Sequence, residues 1–244
     1  MESSILLSQR VDCLTRESID KRVYESIKRK KKTLVFAMNV HILLELRNDQ
    51  PCKEKHNNNS LIFCDGVPLV WLSKLSWYST KSLPGRVSGT DLVERILQND
   101  RYKIYIIGST LQILKRIVEK YPKNICGFFA PPFGNDWNEK VDEVILTQIK
   151  KTKPDIVLIG VGPLKQEKWL IKHSDKINAF VGIGVGSAFD ILSGTTPRAP
   201  SILRNNGLEW LWRVVLEPKR LLRRYLTDFL HLTWLIISKP VVRL

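Results

Sequence analysis

Short runs of β-branched and aromatic residues alternate, along most of this chain, with longer segments that carry apolar residues at three-and-four spacing. Two parallel strands need a long crossover between them, and an amphipathic helix is the usual crossover. The alternation therefore predicts an α/β fold with a Rossmann-like, mainly parallel sheet flanked by helices. The expected strands are residues 33–38, 61–64, 103–107, 125–129, 155–159 and 179–183. The expected helices are residues 16–30, 40–47, 91–98, 111–121, 139–151 and 165–173.

The pattern changes after residue 183, where only helical segments remain. We expect a short helix at 201–206, a second at 208–216 and a third that opens at Pro218, because proline fits the first position of a helix. The chain is accordingly divided into an α/β domain at 1–200, which would hold any catalytic site, and a basic helical appendage at 201–244. Residues 48–60 have no apolar period and are predicted to form a flexible loop.

The charge of the chain points to an anionic partner. Its 39 Lys and Arg residues against 24 Asp and Glu residues give a net charge of +15, which bears on partners and not on fold. The basic cluster at 21–32 is interpreted as a solvated helix end. In the last predicted helix, one face carries arginines and the other is apolar. The arginines are Arg220, Arg223 and Arg224, and the apolar face comprises Leu222, Leu226, Phe229 and Thr233.

Arginine beside apolar side chains suits a surface that offers phosphate and hydrocarbon together, as an anionic membrane does. The apolar stretch at 229–237 is far shorter than the roughly 20 residues that span a bilayer. The four cysteines and four histidines have neither disulfide-framework nor metal-ligand spacing, which suits a reducing cytosol. No secretory signal is visible at the N-terminus. We therefore expect a cytoplasmic protein that lies peripherally on the inner face of the membrane, with no resident cofactor or metal.

Glycines follow several predicted strands. The turns containing Gly108, Gly162 and residues 182–187 could cradle a nucleotide diphosphate, because glycine allows close backbone approach and a helix N-terminus attracts anions. Simple tight turns remain an equal interpretation for any one of them. None matches G-x-G-x-x-G and no P-loop motif is present, so dinucleotide-binding and P-loop functions are disfavoured.

Polar residues also follow three strands. Asp65 comes after a buried-looking strand, at the sheet edge where α/β proteins place ligands, although Asp-Gly is also a common turn pair. Asn39 follows strand 33–38, where helix capping is its default role. Lys165 could contact phosphate and Gln166 could bind sugar or base hydroxyls, or both could be ordinary first-turn residues. No D-x-D metal motif occurs, so arginines and helix termini would have to neutralise a leaving diphosphate.

The order of these motifs resembles the WecG/TagA/CpsF family of bacterial glycosyltransferases over almost the whole chain. The resemblance implies inverting, metal-independent transfer of a sugar, typically of N-acetylmannosamine type, from a UDP donor to N-acetylglucosamine on undecaprenyl diphosphate. The matching stretches are 39–41 (NVH), 65–68 (DGVP), 85–91 (GRVSGTD), 160–167 (GVGPLKQE) and the run from Phe189 through 198–200 (RAP) to 223–225 (RRY).

The resemblance also assigns roles by position. Asp65 looks like the family's general base, and Asn39, Arg86 and Gln166 look like pocket residues that hold donor and acceptor. The C-terminal arginines that match the family, which we expect to meet diphosphates and the membrane surface, are Arg213, Arg220, Arg223 and Arg224. The chain departs from the family pattern at two positions. Ala37 stands where many relatives carry threonine. The proline that usually stands directly before Lys-Gln-Glu is Pro163 here, and Leu164 separates it from Lys165.

Two other functional classes are compatible with part of the sequence. A basic nucleic-acid-binding protein would explain the charge and the Arg/Trp-rich tail, but it would leave Asp65 and Gln166 without a function. A nicotinamide-dependent oxidoreductase lacks its glycine fingerprint. We expect no nucleic-acid partner, and the sequence leaves open the donor sugar, the linkage, the polymer and whether copies of the chain form a homo-oligomer.

Overall fold

The computed structural model describes residues 2–58, 60–132, 134 and 137–238. Asn59 of the predicted loop and residues 239–244 of the predicted appendage lie outside the described residues. The chain begins with an antiparallel hairpin of β1 (Ser3–Leu6) and β2 (Gln9–Asp12). Its two turn residues, Leu7 and Ser8, both have positive φ, a conformation usually signalled by Asn-Gly. The sequence does not predict this hairpin, because the usual turn residues are absent.

Six parallel strands form the main sheet, as predicted. They are β3 (Thr33–Met38), β4 (Ser60–Cys64), β5 (Ile104–Gly108), β6 (Ile125–Phe129), β7 (Ile156–Gly160) and β8 (Val181–Gly184). The spatial order is β4-β3-β8-β7-β5-β6, and every described pairing between them is parallel. All six predicted strands are confirmed, each shifted by no more than two residues. The carboxyl ends of β3, β4, β5, β7 and β8 therefore share one edge, which is where the candidate residues lie.

Helices flank the sheet and then form the C-terminal segment. They are α1 (Arg16–Lys28), α2 (Val40–Asn48), α3 (Gln50–Asn57), α4 (Val67–Ser73), α5 (Gly89–Gln98), α6 (Leu111–Lys120), α7 (Glu139–Thr152), α8 (Lys165–His173), α9 (Ala188–Leu192), α10 (Ser201–Asn205), α11 (Glu209–Leu216) and α12 (Pro218–Ser238). The prediction of a flexible loop at 48–60 is wrong. Asp49 caps α3 by accepting a hydrogen bond from the Cys52 N–H at 3.0 Å, and Cys52 and His56 are buried one turn apart.

The core has a layer on each face of the sheet. One layer packs α1, α5, α6 and α9 against the sheet, and the other packs α7 and α8 against the opposite face. A third cluster joins the hairpin, α2 and α4 to the far end of α12, where Leu235 is buried. Buried apolar strands on both faces are what a parallel sheet requires.

The three predicted appendage helices are present, and α12 packs along α2. Leu221 and Leu235 are buried there, and His41 of α2 hydrogen-bonds Asp228 of α12 at 3.0 Å. The predicted apolar face of α12 is outward, with Leu222, Leu226 and Phe229 exposed. Across the described ranges, α12 and the other helices are all too short or too polar to cross a bilayer.

Candidate active site

Asn39 and Asp65 lie side by side because β3 and β4 are adjacent strands. The Asp65 N–H donates to the Met38 carbonyl at 2.8 Å, and Gly66 lies beside Asn39, where an added Cβ would be in ordinary contact at 3.5 Å from the Asn39 Cα. The Asn39 Oδ1 accepts from the Ile42 N–H at 3.0 Å, so the capping role is confirmed. Its Nδ2 group has no partner among the residues that the structure describes, and could donate to a ligand.

The Asp65 carboxylate is held by two donors. Arg86 Nε donates to Oδ1 at 3.1 Å, and the Gly89 N–H at the start of α5 donates to Oδ2 at 3.2 Å. A side chain at position 89 would bring its Cβ to 3.0 Å from Oδ2, so glycine permits this approach. Burial raises the pKa of Asp65, and the opposing effects of Arg86 and the Gly89 N–H do not cancel the rise. A carboxylate with a raised pKa is a better proton acceptor.

The C-terminal segment reaches this carboxylate through Glu209. Arg86 Nη2 donates to Glu209 Oε2 at 2.8 Å while Arg86 Nε bonds Asp65, so one guanidinium joins two carboxylates. Gly207, just before α11, packs on Val67, where a Cβ would be 2.3 Å from the valine Cγ2. Sequence reasoning missed Glu209 as a site residue, because an acidic residue in the first turn of a helix has an ordinary explanation in the helix dipole.

The glycine turns meet backbone to backbone. A Cβ on Gly108 would lie 2.2 Å from the Gly160 carbonyl, and a Cβ on Gly160 would lie 2.6 Å from the Gly186 carbonyl. Gly162 has a φ of +99°, with nothing within 4 Å of its Cβ position. Close strand packing thus explains the first two glycines, and Gly162 borders open space at the N-terminus of α8.

Lys165 and Gln166 open α8 in different settings. Lys165 is exposed, and its Nζ lies over the Trp137 ring at 4.9 Å from the centroid. Gln166 is buried, accepts from the Gly186 N–H at 2.9 Å and donates to Glu167 Oε1 at 2.9 Å. Gln166 therefore ties the β7–α8 loop to the β8–α9 loop, and its direct contact with a ligand stays a prediction.

Two residues beside these also stand out. Burial raises the pKa of Glu167 to about 7, and its Oε2 has no hydrogen-bond partner in the described structure. Leu164, which separates Pro163 from Lys165, has a φ of +61°, a conformation that a leucine adopts only under strain. The displaced proline thus coincides with a strained residue at the start of α8.

The C-terminal arginines lie on α11 and α12. Arg220 pairs with Glu217 at 2.7 Å, and the Arg224 guanidinium lies 5.0 Å from the Tyr225 ring centroid. Within the described ranges, Arg213, Arg223 and Arg224 form no ion pair, and none of the four predicted arginines contacts Asp65. Arg198, in the same matched run, is used inside the fold by pairing with Asp91 and Glu94.

A separate cavity of about 780 Å³ lies at the other end of the sheet, beside α3 and α8. Lys32, Asp49, Lys55 and Lys168 are among its lining residues. Ligands of open α/β sheets bind at the carboxyl ends of the strands, and Asp65 with its two donors lies at that end. We therefore take the edge around Asp65 as the candidate active site.

Comparison with known proteins gives one consistent result. Residues 4–243 match the family model described as the glycosyl transferase WecG/TagA/CpsF family. Similar proteins include those named N-acetylglucosaminyldiphosphoundecaprenol N-acetyl-beta-D-mannosaminyltransferase from Staphylococcus aureus strains NCTC 8325 / PS 47 and COL, each 29% identical over 194 residues, covering 77% of this chain and 73% of the relative. The protein of that name from strain MRSA252 has the same identity and coverage.

Proposed function

The chain belongs to the WecG/TagA/CpsF family of glycosyl transferases, and we propose that it moves a sugar of N-acetylmannosamine type, or a related hexose. The sugar passes from a UDP-sugar to N-acetylglucosamine on undecaprenyl diphosphate. The names of the relatives support the acceptor and the type of sugar, and we infer a place in the synthesis of a cell-envelope polysaccharide. The observation that carries the proposal is the Asp65 carboxylate, which Arg86 and Gly89 hold at the sheet edge.

Asp65 acts as the general base in this proposal. The acceptor hydroxyl gives its proton to the Asp65 carboxylate while its oxygen attacks the anomeric carbon from the face opposite UDP. The bond from that carbon to the diphosphate oxygen breaks, and UDP leaves with the electron pair, so the configuration inverts. The raised pKa of Asp65 suits this step, because the carboxylate holds the proton better than an exposed aspartate does.

The donor diphosphate would lie against the turns at Gly108 and Gly162 and the N-terminus of α8. The dipole of α8 favours an anion there, and the exposed Lys165 adds a positive charge. With arginines and a helix terminus available to neutralise the leaving group, and with no D-x-D motif in the sequence, we propose that transfer needs no metal.

The acceptor would be presented by the membrane. Arg220 and Arg223 are exposed on α12, beside the outward apolar residues Leu222 and Leu226. Anionic lipids attract such a basic amphipathic helix, and its apolar side chains enter the lipid boundary. We infer a peripheral position on the inner face of the membrane, with Glu209 bringing the same C-terminal segment to the active site.

A panel of UDP-sugars offered with a short-chain prenyl-diphosphate-GlcNAc acceptor tests this function, with products identified by mass. We expect one donor to give a disaccharide product, and the yield to be unchanged by a metal chelator. Transfer from no UDP-sugar, together with stabilisation against melting by NAD or salt-sensitive retention of RNA, would replace the proposal by one of the alternatives. Loss of transfer on chelation would refute metal independence alone.

A further inference from the structure

Three large apolar side chains in α4 and in the segment just after it are exposed to solvent. Trp71, Leu75 and Trp77, which we call the tryptophan patch, are 64%, 53% and 64% exposed. Leu69 and Leu72 of α4 are buried in the core. One apolar face of α4 therefore packs on the core, and the apolar residues on its other side are exposed to solvent. An exposed apolar cluster of this kind usually marks a contact surface.

The patch lies between the candidate base and the end of α12. Helix α4 begins two residues after Asp65, and the Tyr78 hydroxyl, next to Trp77, donates to the Ile236 carbonyl at 3.2 Å. At that end of α12, Trp234 and Ile237 are also exposed, at 66% and 75%. The Tyr78 contact thus places the segment that follows α4 next to the end of α12.

The chemistry of the patch fits a bilayer better than a protein partner. Tryptophan combines a large apolar ring with one N–H donor and suits the headgroup boundary of a membrane. Lys74, inside the patch, is exposed and forms no ion pair among the described residues, so it is available to an anionic headgroup. The net charge of +15 opposes close approach of a second copy of the chain and favours an anionic surface.

We propose that Trp71, Leu75 and Trp77 enter the lipid boundary as a second membrane contact, separate from the outward face of α12. This inference rests on the proposed function, since it presumes a lipid-borne acceptor. Two contacts fix the orientation of the protein where one helix would leave it free to rotate. Because α4 begins two residues after Asp65, its binding in the headgroup layer would keep Asp65 near the lipid that delivers the acceptor.

The full chain and the variant Trp71→Gln/Leu75→Gln/Trp77→Gln are compared for binding to phosphatidylglycerol vesicles by sedimentation. We expect binding to fall by about ten- to a hundredfold, because much apolar area no longer leaves water. Vesicles with brominated acyl chains should quench less of the tryptophan fluorescence of the variant. The matched control is Tyr24→Gln/Val144→Gln, which removes exposed apolar residues of α1 and α7 and should bind as the wild type does. Thermal unfolding midpoints confirm that each variant folds.

Unchanged vesicle binding by the patch variant, with loss of binding by Leu226→Gln/Phe229→Gln on α12, would overturn the inference and leave the proposed function intact. A change in sedimentation coefficient without a change in vesicle binding would make the patch an interface between copies, which also overturns it. Transfer by the wild type to a short-chain acceptor in free solution tests the proposed function separately, because that assay needs no vesicle.

Discussion

Replacing Glu209 by Gln should move the pH dependence of transfer to lower pH. The substitution keeps the shape of the side chain and an oxygen that can accept from Arg86 Nη2, now 2.8 Å away, but it removes one of the two negative charges that share the guanidinium. The charge of Glu209 raises the pKa of Asp65. Without that charge, Arg86 stabilises the ionised form of Asp65 more strongly and the pKa of Asp65 falls.

The Arg86–Glu209 bond limits the size of this effect, because Asp65 and Glu209 are coupled through the guanidinium that they share. Hydrogen bonds to charged groups contribute about 1.5–3 kcal/mol and are roughly twice as strong as neutral ones. Both side chains are mostly buried, so the substitution changes the interaction by about 1 kcal/mol. At 1.36 kcal/mol per factor of ten, about 1 kcal/mol changes the proton affinity of Asp65 by at most about fivefold, and the pKa of Asp65 falls accordingly.

The assay is kcat/KM for a short-chain acceptor across the acid limb of the pH profile. We expect that limb to shift to lower pH, and the plateau to fall a few-fold because the base is weaker. Glu217→Gln is the matched control, since Glu217 bonds Arg220 within the C-terminal segment at 2.7 Å and does not contact Asp65. An acid limb that stays in place or moves upward in the Glu209 variant would refute the reasoning.

Three further predictions concern the base, the fold and its acid stability. Asp65→Asn should lower turnover about 10²–10⁴-fold with an unchanged thermal midpoint, and near-normal turnover would remove Asp65 from the role of base. Gly108→Ala should cost more than about 2 kcal/mol in urea unfolding, because its Cβ would lie 2.2 Å from the Gly160 carbonyl; a neutral result would contradict that packing. Burial lowers the pKa of His56 to about 4, so between pH 6.5 and 4 the histidine is protonated in the unfolded state and neutral in the folded state. Stability should fall by about 3 kcal/mol as the pH drops from 6.5 to 4, and His56→Leu should flatten that slope if this histidine causes it.

The sequence predicted the sheet well because buried parallel strands appear as continuous apolar runs. Such runs can be recognised without knowing which strands pair with each other. The sequence did not predict features that depend on tertiary contacts. Helix α3 has a polar sequence and is held by the burial of Cys52 and His56, and the first hairpin turns through Leu7 and Ser8 without the usual glycine. Asp65 could be placed at the sheet edge from its strand alone. Glu209 could not, because its partner Arg86 lies 123 residues away.

The Arg86 bridge makes the C-terminal segment part of the candidate site rather than a detachable anchor. Arg86 and Gly89 fix Asp65 from the α/β domain, while Glu209 holds the far side of the same guanidinium from α11. Any movement of α11 therefore changes the charge that Asp65 experiences. If α12 and the tryptophan patch bind the bilayer as proposed, the surface that receives the acceptor is rigidly connected to the base, because α12 is also packed on α2 through Leu235. Membrane contact and proton transfer are then linked through one arginine, and a substitution that loosens α12 should change the acid limb of the pH profile as well as vesicle binding.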